Sequence, residues 1–179
     1  QRQMCIRDRD IGGRSVHPYQ PAGYWSHMNF PARKWPSDQG ENLHRRGLYT
    51  WWQRMFLHPA MVAFDAPSRE ECTVERPRSN IPQQALVLLN DPTFVEAAHG
   101  LAERTLQSAE PETAKRIDWI WKEVLSRLPE KTEAEVLTKV YERHRTQYEA
   151  DPESAKQLLT VGTLPVNESL DTVCLLYTS

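Results

Sequence analysis

Cysteine is scarce: the 179-residue chain has three. Cys5 and Cys174 lie near the ends, which leaves Cys72 alone in the body of the chain. One thiol cannot close an internal disulfide, so a disulfide-stapled scaffold is excluded. Covalent haem is excluded as well, because Cys72-Thr73-Val74-Glu75 is not a Cys-x-x-Cys-His signature. An excess of positive charge is missing: 22 basic side chains stand against 24 acidic ones. Without a basic stripe, nucleic-acid binding lacks its electrostatic driving force. Long apolar runs are also absent. The longest, Ala85 to Leu89, is far short of the roughly 20 residues that cross a bilayer. His17, His27, His44 and His58 follow no zinc spacing, so no metal is expected. There is no internal repeat and no convincing alternation of strand type.

The two ends carry an unusual signal. Met4 to Arg9 reads MCIRDR and Cys174 to Ser179 reads CLLYTS. The first fits ATG TGT ATA AGA GAC AG and the second TGT CTC TTA TAC ACA TCT, two strands of one inverted repeat. It resembles the transposon-end adapter of sequencing libraries. Residues 1–9 and 174–179 are therefore expected to be adapter-derived and are set aside from fold reasoning. That removes Arg2, Arg7, Arg9 and Asp8, leaving 19 basic and 23 acidic residues (22 − 3 and 24 − 1), a charge near −4. Residues 10–173 are then expected to form a single helical domain, internal to a longer reading frame.

Ile11 to Gln39 is rich in proline, glycine and aromatic residues. Prolines at 18, 21, 31 and 36 forbid a long helix, and the aromatic content argues against disorder. The expectation is an ordered extended wrap with Tyr19, Tyr24, Trp25, Phe30 and Trp35 plugged into a core. From Leu43 to Leu57 the spacing of Leu48, Trp51, Trp52, Met55 and Phe56 predicts a helix ended by His58-Pro59. Pro82 opens the next helix, capped by Ile81 or Asn80, with Ala85 to Leu89 buried. Asp91 then caps a helix beginning at Pro92, whose apolar face is Phe94, Val95, Ala98, Leu101 and Ala102.

A further helix is predicted from about Pro111 to Leu128, with Ile117, Ile120, Trp121, Val124, Leu125 and Leu128 as its stripe and Pro129 as its stop. Thr132 and Glu135 fit a capping box for the helix behind it. That helix carries Val136, Leu137, Val140, Tyr141, His144 and Tyr148 on one side, with His144 packed in the core. Asp151-Pro152 opens a short last helix. The fold expected is all-α, five or six helices with an N-terminal wrap.

The densest chemistry lies between Phe64 and Ala98. Asp65, Arg69, Glu70, Glu71, Cys72, Glu75, Arg76, Arg78 and Asn80 crowd one irregular stretch directly ahead of an apolar helix. An acid–base pair needs two carboxyls in different environments facing one substrate, and a catalytic reading uses Asp65, Arg69, Glu70, Arg78 and Asp91. The competing reading makes Asp65 and Asp91 caps and pairs the arginines with Glu70, Glu71 or Glu75, a polar clamp that fixes helix entry. Asn90, at the break between two helices, is placed to satisfy orphan backbone groups. Cys72 with His58 would form a nucleophile and base; the plainer alternative is a small buried apolar group. Trp25, Trp35 and Trp52 offer faces for sugar stacking, or core mass beneath the wrap.

Arg45 to Val74 reads RRGLYTWWQRMFLHPAMVAFDAPSREECTV, and Asn80 to Ala98 reads NIPQQALVLLNDPTFVEAA. Together with the opening GGRSVHPYQPAGYW and with SRLPEKTEAEV, they resemble the PSD family, a C-terminal domain of unknown function in large planctomycete proteins. The resemblance covers about Ile11 to Lys156. It departs at Ser79-Asn80-Ile81-Pro82-Gln83, where the family tends to read Thr-Asn-Thr-Pro-Leu, and at Glu75, where a basic residue is common. The family's final helix is missing, which is expected to leave one apolar packing face uncovered. The resemblance implies a non-haem module behind a second uncharacterised domain and, often, a planctomycete-type cytochrome c domain. Any haem would sit in that upstream domain. It further implies export to the periplasm or cell surface, a redox-coupled or polysaccharide-related setting, and a structural or interactive role. The partners implied are the upstream domains of the same chain, with polysaccharide as a second candidate.

Overall fold

Proline begins most of the helices. Its fixed φ suits the first helical turn, where its missing N–H would have had no partner. The computed structural model describes residues 11–24, 35–40, 43, 45–53, 56–68 and 70–166. Among these there are six α-helices and no strand: α1 (Pro59–Ala63), α2 (Pro82–Asn90), α3 (Pro92–Ser108), α4 (Thr113–Leu125), α5 (Lys131–Ala150) and α6 (Pro152–Leu159). The all-α class read from the sequence holds. The chain divides into two compact units, residues 1–93 and 94–179, the division falling in the first turn of α3.

In the first unit the wrap is held by backbone pairing. Val16 donates its N–H to the Tyr49 carbonyl (2.8 Å) and accepts from the Trp51 N–H (2.7 Å), forming an isolated parallel bridge with Thr50. Val16 is 1% exposed. Asp38 ties residues 35–40 to this ladder, accepting from the His17 N–H at 2.7 Å while its own N–H reaches the His17 carbonyl at 2.8 Å. The Trp35 indole N–H donates to the Pro18 carbonyl at 2.7 Å. Tyr19 is exposed rather than plugged into a core, and Trp25 and Phe30 lie outside the described residues.

Among the described residues of 43–57 the expected α-helix is not seen: a single 3-10 turn, Gly47–Tyr49, is followed by Thr50 in extended conformation. The bridge works against a helix: the Tyr49 carbonyl and the Trp51 N–H are taken by Val16 and are lost to i to i−4 bonding, and aromatic and β-branched residues favour extended backbone. α1 and α2 pack together in this unit. Ala85 to Leu89 is not the buried run expected. No residue of α2 is buried, and Leu86, Leu88 and Leu89 are exposed.

In the second unit Ala102, Ala155 and Leu159 form the core, with Leu106, Tyr148, Leu158 and Val166 packed on it. Full burial of a leucine such as Leu159 contributes about 1.5–3 kcal/mol. Of the expected apolar face of α3 only Ala102 is buried, and it shares the buried side with Glu96, His99 and Thr105. α4 is shorter than predicted. It stops at Ser126, whose φ of 58° is left-handed, and not at Pro129. Its stripe is buried only at Ile117, while Val124, Leu125 and Leu128 are exposed.

The capping box of α5 lies two residues before the expected Thr132 and Glu135, at Glu130 and Glu133. Both pairs fit the spacing. The Arg127 guanidinium selects the earlier one by holding Glu133 at 2.7 Å. His144 is exposed and not a core residue; its ring meets Tyr148 edge-on at 6.3 Å. Asp151 caps α6 as expected, accepting from the Ser154 N–H at 3.2 Å.

Candidate functional site

Asp65 follows α1 with a φ of 56°, a conformation that Asp tolerates better than most residues. The turn aims its carboxylate at Ser79. Both oxygens accept from the Ser79 hydroxyl (2.8 and 2.7 Å), and Oδ2 also accepts from the Ser79 N–H at 2.7 Å. The Ser79 bonds hold the Asp65 carboxyl below the usual carboxylate range, and the charge of Arg76 adds to the shift. Gln84, in the first turn of α2, donates to the Ser79 carbonyl at 3.1 Å. Asp65, Ser79 and Gln84 thus join the end of α1 to the start of α2 and close the intervening loop at its base.

Asp91 sits between α2 and α3 and accepts from the Thr93 N–H at 2.9 Å, a cap worth about 1 kcal/mol. Asn90 donates its amide to the Leu86 carbonyl at 2.9 Å, one turn back in the same helix. Glu70 and Arg78 are exposed, and Arg69 lies outside the described residues. Among the described residues no hydrogen bond or ion pair joins Asp65, Glu70, Arg78 and Asp91 to one another. Nor do Arg76 and Arg78 pair with Glu70, Glu71 or Glu75. The clamp is real, but serine and glutamine build it rather than the arginines.

His58, the base in the Cys72 nucleophile reading, sits in a different setting. It is buried, its Nε2–H donates to the Tyr19 carbonyl at 2.7 Å, and that partner fixes the tautomer. Burial pushes its pKa down, against the Tyr19 bond and the negative charge of Asp91, which both raise it. Around it the rings gather. His17 stacks on Trp51 at 5.1 Å and meets Trp35 edge-on at 4.9 Å. Trp35 lies edge-on to Trp51 at 5.6 Å and 6.4 Å from His58. Trp35 and Trp52 are half-buried. Cys72 is exposed rather than packed as a small apolar group. Its partner in the nucleophile reading, His58, is buried with Nε2 already engaged.

Among the described residues no group of three or more His, Cys, Asp or Glu side chains is placed to hold a metal ion; His27 and His44 lie outside those residues. No described helix is long and apolar enough to cross a membrane.

Residues 6–141 match the model of the family PSD1, protein of unknown function (DUF1553). The chain belongs to this family. No curated protein and no solved structure matches it. The part of the chain matched by PSD1 contains the wrap, the Asp65–Ser79 clamp, the Asp91 cap and the first half of α5.

Proposed function

We propose that this PSD1 chain is a helical, non-haem structural and interaction module on the C-terminal side of a large exported multidomain bacterial protein. One observation carries the reading: α2 is a well-formed helix in which no residue is buried. Isolated helices are marginal in water, and tertiary packing of an apolar face supplies most of their stability. Leu86, Leu88 and Leu89 on α2 are exposed, and exposed apolar groups of this kind mark contact surfaces. The preceding domains of the same parent chain are the partner we assign to α2.

The carboxylates support this role over a hydrolytic one. Asp65 and Asp91 commit oxygens to Ser79 and Thr93, the behaviour of caps and clamps. The tryptophans favour it over a sugar platform, since Trp35 and Trp51 cross edge to face instead of presenting one flat surface. The cell-envelope setting, redox-coupled or polysaccharide-related, rests on the family resemblance.

Amide hydrogen exchange compares this chain alone with the same residues inside the parent protein. Slower exchange across Pro82–Asn90 in the parent is expected. Equal rates in both would refute the assignment of α2.

A further inference from the structure

α5 runs for 20 residues and none of them is buried. Its outward stripe is Glu135, Val136, Lys139, Val140 and Arg143, all exposed. Steps of three and four residues place these side chains on one face. Val136 and Val140 are 59% and 46% exposed, and on α4, which packs against α5, Val124 and Leu125 are exposed too.

The charges on this stripe suit a copy of themselves. Arg127 holds Glu133, and Arg145 holds Glu149. Glu135 and Arg143, at opposite ends of the valine pair, have no ion-pair partner among the described residues. We propose that α5 pairs antiparallel with α5 of a second copy of this chain, about a two-fold axis at Lys139.

Lys139 lies four residues from Glu135 and four from Arg143. An axis there sets Glu135 of each copy level with Arg143 of the other, twice over, as an isologous interface requires. Val136 and Val140 then flank the axis. Lys139 carries its ammonium to the rim on its long stem. A parallel arrangement would set Glu135 on Glu135 and Arg143 on Arg143 in addition to Lys139 on Lys139, whereas the antiparallel one leaves only the Lys139 pair like on like. The inference rests on the interaction-module reading and commits α5, as distinct from α2, to one partner.

Sedimentation velocity on the whole chain, from about 1 μM to about 1 mM, tests it. A concentration-dependent monomer–dimer equilibrium is expected. Arg143→Glu weakens the dimer by about tenfold or more. Adding Glu135→Lys to Arg143→Glu reverses both ends of the stripe and restores it. Circular dichroism checks that each variant stays helical; if Arg143→Glu loses helix, Val140→Gln replaces it, with the same weakening expected. A chain that stays monomeric throughout overturns the proposal. So does a dimer that Arg143→Glu leaves intact, or one that the double reversal fails to restore. Protection of α2 in the parent protein, with no dimer here, would keep the module reading and remove only the self-pairing of α5.

Discussion

Replacing Gly162 with alanine should loosen residues 161–166, a strap after α6 that Glu96 of α3 ties down through Thr163. Gly162 has a φ of +96°, and a Cβ there would stand 2.5 Å from Glu96 Oε2 and 2.9 Å from both Cβ and Cδ of the same side chain. Two costs follow. The backbone conformation disfavours any L-residue by about 1–2 kcal/mol. The clash also forces Glu96 away from Thr163, whose N–H and hydroxyl it binds at 3.1 and 3.2 Å. Hydrogen bonds to a charged group are worth about 1.5–3 kcal/mol each, and losing roughly one of them brings the total to about 2.5–5 kcal/mol.

In a unit of this size each kcal/mol shifts Tm by about 4–8 °C, so a fall of about 10 °C or more is expected in thermal unfolding by circular dichroism. If the strap peels off locally instead, the loss stops at the free energy that holds it, and fast amide exchange across residues 161–166 reports the release. A double-mutant cycle with Glu96→Ala removes the Oε2 and Cδ clashes and the bonds to Thr163 but keeps the 2.9 Å contact with the Glu96 Cβ. With Glu96 truncated, alanine at 162 should cost less than it does beside glutamate, the backbone share plus that one contact. Additive effects of the two substitutions, or a Gly162→Ala variant within about 0.5 kcal/mol of the parent chain, would refute the reasoning.

Three further outcomes follow from the titrating groups and the clamp. Burial lowers the folded pKa of His58 from 6.5, so its neutral form contributes stability above about pH 6.5 that is lost as pH falls through the lowered value; denaturant midpoints measured downward from pH 7.5 should drop, and His58→Gln should flatten that slope. The Arg127 guanidinium and the Glu130 N–H hold Glu133 down to about 2 from 4.5, so its contribution is present above about pH 4.5 and lost as pH falls through about 2. Carbon-detected NMR titration should place its midpoint near the lower value, and Arg127→Ala should return it towards the upper one. Ser79→Ala removes the hydroxyl from Asp65; trypsin should then cut faster after Arg78, and an unchanged rate would show that the clamp does not close the loop.

Local chemistry was legible wherever one residue acts on its own backbone neighbours. Pro82, Pro92 and Pro152 mark helix starts at their exact positions, and Asp91 and Asp151 cap as their types predict. Long-range pairing was not legible. Nothing local in Leu48 to Phe56 announces that Val16 will claim the backbone of Tyr49 and Trp51, so aromatic spacing there imitates a helix. Two candidate capping boxes overlap after Pro129, and only the Arg127–Glu133 ion pair distinguishes them. The polar side of α3 is buried because Glu96 reaches Thr163, 67 residues away, a partner no helical periodicity can display. At the central segment, the sequence correctly placed caps and a clamp near Asp65 and Asp91 but assigned the wrong side chains to close it.

The Asp65–Ser79 junction also has a consequence for chain length. It shuts a loop of sequence separation 14 into a ring whose interior residues, from Glu70 onward, are all exposed, with Val74 at 105%. The cost of closing such a ring grows only logarithmically, by about 0.6 kcal/mol for each doubling. Extra residues spliced beside Val74 would therefore hardly be felt by α1 or α2, and a fluorescent reporter or an affinity tag inserted there would ride outside the fold without altering it.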